Sequence, residues 1–505
     1  MSTPTHSLAA SRLVATNYAR RSNMPASSEP LLPTDAAKAA TGVGVPEAAL
    51  ALVKTCVGTG IMALPFAFVK GGILSLPGLI LLGLWNWTTS VQMLESRAAV
   101  DSKGSDYAAR SGYSAIAYSA FGRFGVFVLE SNLCVVLIGV CSSMQVQAAQ
   151  LVAACTGLPY ALCVGLCAAM LVPLVLQRTL RGISLIAAAG LTVLALGLLA
   201  VAAHGVARYG VSFDLTRLPA RFFALPDAHE CAIFFGIASF SFGLQTTLLP
   251  VQDGMRQPSR AAEAVNISLV AIVSLYIAVG LGLSSLYSQA TKGVQQLILL
   301  NLVDSGALAT AVQGSSALVA LLSYPMPLMP IVELMPALLA SAVGSSSRGG
   351  GTTAGTAAGT MAGSAVRLAI LLTTSLLALT LQQFGIAAGF VGSLSIISSL
   401  VLPPMCHLKL CAWPQPLAAP ADSQPPQWQP LAQRRQDWLG ARTPPAGDSK
   451  LEHPPTQPTA AAATPRRRPW AAAYDLALIV LGLLSFVHFT AQFVEEAMAT
   501  ATTST

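Results

Sequence analysis

Two short stretches hold the residue types best suited to chemistry inside apolar surroundings. The first is KTCVGTGIMALP, Lys54–Pro65, where Gly58, Thr59 and Gly60 interrupt a long hydrophobic run. Glycine costs a helix interior about 0.5–1 kcal/mol against alanine, and proline costs roughly 3 kcal/mol or more, so a helix here is built to open. The second is SFSFG, Ser239–Gly243, again inside an apolar run and again followed by a proline, Pro250. An opened helix frees backbone N–H and C=O groups, and its ends carry partial charge, positive at N-termini and negative at C-termini. A zwitterion with a carboxylate and an ammonium group complements such a pair of ends. Gly58 and Gly60 would let a ligand approach the backbone, and Thr59, Ser239 and Ser241 would add hydroxyls. Phe240 and Phe242 would supply an apolar wall. Small residues in membrane helices also serve close helix packing, so packing stands beside ligand binding as a reading of each motif.

The elements that must position these motifs are membrane spans. Of 505 residues, 54% are hydrophobic and 10% charged, and the mean hydropathy is +0.64. Soluble globular chains carry about 25% charged residues. Crossing a bilayer takes about 20 mostly apolar residues. Eleven such stretches are expected, at about 48–70, 73–94, 124–150, 160–176, 183–203, 231–250, 265–287, 308–334, 366–383, 386–406 and 472–493. The fold class is therefore an all-α polytopic membrane protein. The net charge of +7 bears on topology rather than on nucleic acid, since no basic-and-aromatic surface is visible. Cytoplasmic loops collect Lys and Arg. With the N-terminus inside, 22 of the 28 Lys and Arg fall on cytoplasmic segments, five fall outside and Lys54 lies in a span. This predicts a cytoplasmic N-terminus and an extracytoplasmic C-terminus.

Residues 1–44 are polar and rich in Ala, Ser and Pro, and read as a disordered cytoplasmic tail, with an organelle-targeting peptide as the alternative. Gly344–Ser364 reads as a flexible Gly/Ser/Thr/Ala loop. The segment 411–470 carries thirteen prolines and reads as a disordered cytoplasmic loop able to dock cytoplasmic partners. It separates a ten-helix core, 45–410, from a lone eleventh helix in 471–505. Ten helices can be two inverted five-helix repeats, here about 45–204 and 228–410, and in such carriers the first helix of each half is broken near the midplane. Both glycine motifs lie about ten residues into their spans, which is ~15 Å at 1.5 Å per residue, half of a hydrocarbon core about 30 Å thick.

Four segments follow one another between about Val45 and Leu410: LVKTCVGTGIMALPFAFVKGG, FFGIASFSFGLQTTLLPVQDGMRQP (Phe234–Pro258), LSYPMPLMPIVELM (Leu322–Met335) and FGIAAGFVGSLSIISSLVLPPMCHLKL (Phe384–Leu410). In that order they resemble the first, sixth, eighth and tenth helices of the amino acid/auxin permease family, and within it the proton-assisted amino acid transporters. The resemblance implies the LeuT-type fold, a 5+5 inverted repeat plus an eleventh helix. It also implies secondary active transport of small neutral amino acids or related compounds by alternating access. It carries substrate contacts onto Val57, Gly58, Thr59, Gly60, Ser239, Phe240, Ser241 and Ser323. Cys56 stands where family members commonly have an asparagine that helps bind sodium in the sodium-coupled branch. A histidine linked to proton coupling in some members is also missing near the first two helices. The driving force implied is a proton gradient rather than sodium, with the proton carrier unassigned and no cofactor needed.

Ionisable residues within spans are functional candidates by default. Lys54 and Glu130 both fall in the expected cytoplasmic half of the core and could pair, or each could snorkel to the inner interface. With Cys56 and Phe242 they are the coupling or gating candidates. The nine cysteines show no CxxC pair and read as small buried hydrophobes, although Cys155 and Cys231, both at outer-face boundaries, could form a disulfide. No metal-ligand spacing and no paired His/Asp/Glu cluster is apparent within the spans, which argues against an intramembrane enzyme, and no filter sequence repeats as in a channel. An amino acid sensor on the same fold, and a sodium-coupled or uncoupled carrier, are the competing readings. The sequence leaves open a plasma membrane against a vacuolar or lysosomal one.

Overall fold

The computed structural model describes residues 42–101, 112–176, 183–210, 223–302, 306–342, 357–412 and 469–503. The tail up to residue 41, the loop residues 343–356 and the Pro-rich residues 413–468 lie outside the described residues, as do the expectations that fall on them. The described residues are helical apart from turns and one isolated parallel bridge, Val43 with Met255.

The first apolar stretch is in pieces. Helix α1 (Val45–Cys56) ends at the glycine motif, a 3-10 turn covers Thr59–Ala63, and α2 (Leu64–Gly71) completes the crossing. Gly72, at φ 49°, then turns the chain towards α3 (Ser75–Asp101). The chain continues through α4 (Gly112–Thr156), α5 (Tyr160–Leu176) and α6 (Ile183–Tyr209). Gly122, at φ 64°, puts a sharp corner into α4 between its first turns and its apolar body.

The second broken stretch is α7 (Ala228–Ser241) and α8 (Gln245–Asp253), followed by α9 (Ala261–Leu286). Then come α10 (Ala307–Ser323), α11 (Pro325–Ala342) and α12 (Ala357–Thr380). The last part of the core is α13 (Phe384–Ile396), a π-helical turn at Ile397–Val401, α14 (Leu402–His407) and a second π-helical turn at Leu408–Ala412. Helix α15 (Pro469–Thr503) closes the described chain.

Nine helices among the described residues are long and apolar enough to cross a membrane. The sequence predicts eleven stretches, and the difference has two physical sources. The second half of the first stretch runs on into α3 as one helical segment, Thr59–Asp101, leaving α1 at half length, and α5 is a shorter apolar helix of 17 residues. A second difference lies at α12, whose start at Ala357 makes residues 357–364 helical where the sequence reads as flexible loop. Three alanines and a methionine, all strong helix formers, occur among those eight residues.

Close packing of glycines sets the centre of the bundle. A Cβ placed on Gly236 of α7 would lie 2.6 Å from the Gly389 carbonyl oxygen of α13, and one placed on Gly392 would strike the Gly236 carbonyl. The two backbones therefore touch, and α15 lies against the same seam through Phe493, beside Gly389 and Gly236. Without a hydrophobic drive between helices in lipid, such backbone-to-backbone approach is a main source of association. Gly392→Ala forces backbone apart rather than a flexible side chain. It should cost about 1–3 kcal/mol, the range typical of overpacking, read as a lower melting temperature of the purified protein in detergent. An unchanged melting temperature would mean that the seam is looser than drawn.

Candidate substrate site

Both breaks pass through the same kind of turn. Val57, at φ −77° and ψ 83°, follows α1, and Phe242, at φ −98° and ψ 65°, follows α7. These dihedrals lie near the inverse γ-turn minimum, and the Gly58 N–H duly donates to the Cys56 carbonyl at 2.9 Å. Helix α1 has 12 residues and α7 has 14, so the breaks come about 18–21 Å from the helix starts, deep in the bundle.

One side chain joins the two breaks. The Tyr276 hydroxyl of α9 lies 2.7 Å from the Cys56 carbonyl oxygen and 2.6 Å from that of Ser241, the last residues of α1 and α7. It is fully buried, and its ring meets Phe242 edge-on at 5.4 Å between centroids. The Cys56 thiol is itself buried. A carbonyl exposed within lipid costs several kcal/mol if unpaired, and Tyr276 supplies both helix ends from one hydroxyl.

The two glycines of the motif have different roles. A Cβ on Gly60 would lie 2.7 Å from the Ser241 Oγ and 3.2 Å from the Ser241 Cα, so this glycine lets the two broken stretches touch. Gly58 has nothing within 4 Å of that position. Val57, Gly58 and Thr59 are half-buried, with the Val57 side chain packed at the edge of the core. Phe240 is half-buried too, with its ring edge against Gly60. In the last turn of α7, the Ser239 hydroxyl is buried with no hydrogen-bond partner, whereas Ser241 donates to the Ile237 carbonyl of its own helix. The surroundings are fixed by neighbours: Gln245, at the start of α8, donates to Asn86 of α3 at 2.8 Å, and Gln147 of α4 donates to the Met62 sulfur.

The ends of the two broken stretches are also tied. At one end Val43 pairs with Gly254 and Arg256 through the backbone, and the Arg256 guanidinium donates to the Gly42 carbonyl. At the other, Lys70 in the last turn of α2 pairs with Glu230 in the first turn of α7 at 3.2 Å. Each charge there sits at the helix end that favours it.

A family model described as "Transmembrane amino acid transporter protein" matches residues 41–416. The chain belongs to this family, the amino acid/auxin permeases. It is 26% identical over 379 residues to "Vacuolar amino acid transporter 3" of Schizosaccharomyces pombe, covering 72% of this chain and 53% of that protein. It is 24% identical over 297 residues to "Vacuolar amino acid transporter 4" of Saccharomyces cerevisiae, covering 57% and 40%. It is also 23% identical over 386 residues to "Amino acid transporter AVT1D" of Arabidopsis thaliana, covering 70% and 61%. The chain thus spans about half the length of the curated relatives it matches.

Within this permease the other sequence-chosen residues sit apart from the breaks or take other partners. Ser323 ends α10 beside Gly190 of α6, 3.9 Å from where a Cβ would be. Lys54 is half-buried in the last turn of α1, where a cation complements the helix C-terminus. Glu130 accepts a hydrogen bond from Ser114 on its own helix, and no ion pair joins it to Lys54. Cys155 and Cys231 are both free, the Cys155 thiol pointing at the Thr310 carbonyl and Gln313. Phe242 is buried against Tyr276 rather than standing in open space.

Two features escaped sequence reasoning. Tyr276 carries no signal, being one aromatic in an apolar run. The second is a cluster of His407, Asp475 and Glu95, with Glu95 and His407 each one residue beyond the spans expected at 73–94 and 386–406 and Asp475 inside the one expected at 472–493. Asp475 in YDLALIV was legible as an intramembrane acid, but its hydrogen-bond partners, His407 and Gln92, lie 68 and 383 positions away in sequence.

Tyr276→Phe leaves the Ser241 carbonyl without this donor and should destabilise the permease by about 1–3 kcal/mol. Ser284→Ala on the same helix removes a hydroxyl that only bonds its own helix, to Leu281, and should stay within about 0.5 kcal/mol of wild type. Thermal melts of the two variants in one detergent check this, and equal melting temperatures would refute the bridging role.

Proposed function

We propose that this chain is a secondary active transporter of small neutral amino acids or related compounds. It works by alternating access on two inverted five-helix repeats with an added last helix, and it is driven by a proton gradient. The observation that carries the reading is the open space at Gly58 between two half-helix ends held on one hydroxyl. To a ligand there we assign the adjoining Thr59 hydroxyl and Val57 side chain and, from the second break, the unpartnered Ser239 hydroxyl and the half-buried Phe240. That mixture suits a zwitterion with an uncharged side chain.

The names of the relatives support an amino acid as substrate and favour a vacuolar membrane. Sodium is disfavoured on two grounds. Cys56 offers no amide oxygen, and the point where the α1 and α7 carbonyls converge is filled by the Tyr276 hydroxyl. Half-helix carbonyl ends are where such folds hold a coupling cation. Alternating access then requires one of the two end ties to open at a time, either Lys70 with Glu230 or Val43 with the residues after α8.

The full chain in proteoliposomes should accumulate at least one labelled neutral amino acid under an imposed pH gradient and none under a sodium gradient alone. Gly58→Ala, whose methyl enters open space, should keep the wild-type melting temperature and raise the apparent KM about tenfold, roughly 1.4 kcal/mol. Gly60→Ala, whose methyl meets Ser241, should lower the melting temperature instead. No uptake of any neutral amino acid by folded protein would overturn the reading, and wild-type KM in Gly58→Ala would remove Gly58 from the site.

A further inference from the structure

Outside the helix breaks, a buried histidine held between two carboxylates joins three parts of the chain. His407, the last residue of α14, places Nδ1 2.7 Å from the Asp475 Oδ2 of α15 and Nε2 2.9 Å from the Glu95 Oε2 of α3. Gln92 of α3 donates to the other Asp475 oxygen at 2.7 Å. Asp475 is 1% exposed and His407 9%, while the Glu95 side chain is 58% exposed. The group therefore has a buried core and an open rim.

The valence of the imidazole decides what this arrangement requires. A neutral imidazole has one N–H and one lone pair, whereas the charged form donates from both nitrogens. With carboxylate oxygens within 3 Å of both ring nitrogens, a neutral ring would turn one lone pair against an anionic oxygen. Both contacts are attractive only when the three groups hold one proton beyond a neutral histidine and two carboxylates. Leaving one partner of a buried ion pair uncompensated is strongly unfavourable, so gain and loss of that proton must change the contacts.

The other groups around His407 do not replace that proton. From its own segment come Cys406 and Lys409, the latter lying over the Phe121 ring of α4 at 4.8 Å. From α4 comes Tyr113, near Cys406, which gives its hydroxyl to the Ser398 carbonyl. From α3 comes Arg97, which is turned to Asp101 and Asp253. The carboxylates of Glu95 and Asp475 are the charges in direct contact.

We propose that His407, Asp475 and Glu95 form the proton-binding site through which the pH gradient drives transport, its occupancy set by contact between the two repeats. The inference rests on the proton-driven reading above and gives it the carrier that it lacked. Glu95 belongs to the first proposed repeat, His407 to the second, and Asp475 to the helix outside both. Rocking of one repeat against the other separates Glu95 from His407, removes one of the two carboxylates that favour the charged ring, and releases the proton. Chains of His, Asp and Glu within membranes serve as proton relays for the same reason.

The test compares two transport modes in proteoliposomes holding the full chain. Counterflow, the exchange of labelled for unlabelled amino acid at equal pH, needs a folded carrier and a substrate site but no net proton movement. Accumulation driven by a one-unit pH gradient reaches about tenfold with one coupled proton. His407→Gln should keep counterflow while losing that accumulation. Glu95→Gln, at the open rim and milder for folding, should keep counterflow, weaken the pH-driven accumulation and move the pH midpoint of uptake towards acid. Wild-type accumulation and an unshifted midpoint in these variants would overturn the site and leave the proton-driven reading standing. A wild-type protein with counterflow but no response to the pH gradient would overturn both. Should His407→Gln fail to fold, the Glu95→Gln midpoint decides alone.

Discussion

The constraint on which the structure turns is that a helix opened inside apolar surroundings must find partners for its backbone. Two helices open here, at Val57 and at Phe242, and their last carbonyls face one tyrosine hydroxyl. A hydroxyl has one proton and two lone pairs, so it can donate fully to one carbonyl at a time or share its proton between both. Cys56 can tolerate the lesser share because Gly58 also donates to its carbonyl. The Tyr276 hydroxyl thus makes the two breaks a single unit. Any movement of α1 relative to α7 must be carried by α9 or must cost this contact.

Glycine makes that unit possible by acting at two ranges. At Gly236, Gly389 and Gly392 it removes the side chains that would hold α7 and α13 apart, and the two backbones touch. At Gly60 it lets the first broken stretch rest on Ser241 of the second. These contacts fix the outline, and Gly58 is then left with no neighbour near its Cβ position. The same residue type closes the scaffold at one place and leaves backbone accessible two residues away. That is why a Gly-Thr-Gly triplet, and not a single glycine, is found at this depth.

Composition and glycine placement made much of this legible. The apolar runs mark the helices, and the paired interruptions at KTCVGTGIMALP and SFSFG mark the two openings, because both signals are local. What was not legible depends on which faces meet. Nothing in the spacing of Gly58 and Gly60 separates the open glycine from the packed one. Lys54 and Glu130 are both acceptable partners on depth alone, yet Glu130 turns to Ser114 on its own helix. Tyr276 is one apolar residue among many until the two carbonyls are seen around it. Ser323 was chosen by likeness of motif, and its described neighbour is Gly190 of α6.

The His407 cluster shows the same limit from the other side and completes the physical picture. Each member is unremarked alone: a histidine at a helix end, an acid at a rim, an acid in the first turns of the last helix. Together they place a charged contact across α3, α14 and α15, whereas the helix breaks are held by uncharged hydrogen bonds and glycine packing. The difference matters mechanically. A hydroxyl shared between carbonyls responds to position alone, since it does not titrate near neutral pH, but an imidazole between two carboxylates responds to position and to proton activity together. A carrier that couples a substrate to a proton needs one site of each kind, joined through helices that move as bodies. Helix α3 touches both places: Asn86 and Thr89 hold Gln245 at the second break, and Gln92 and Glu95, one to three turns further along, hold Asp475 and His407.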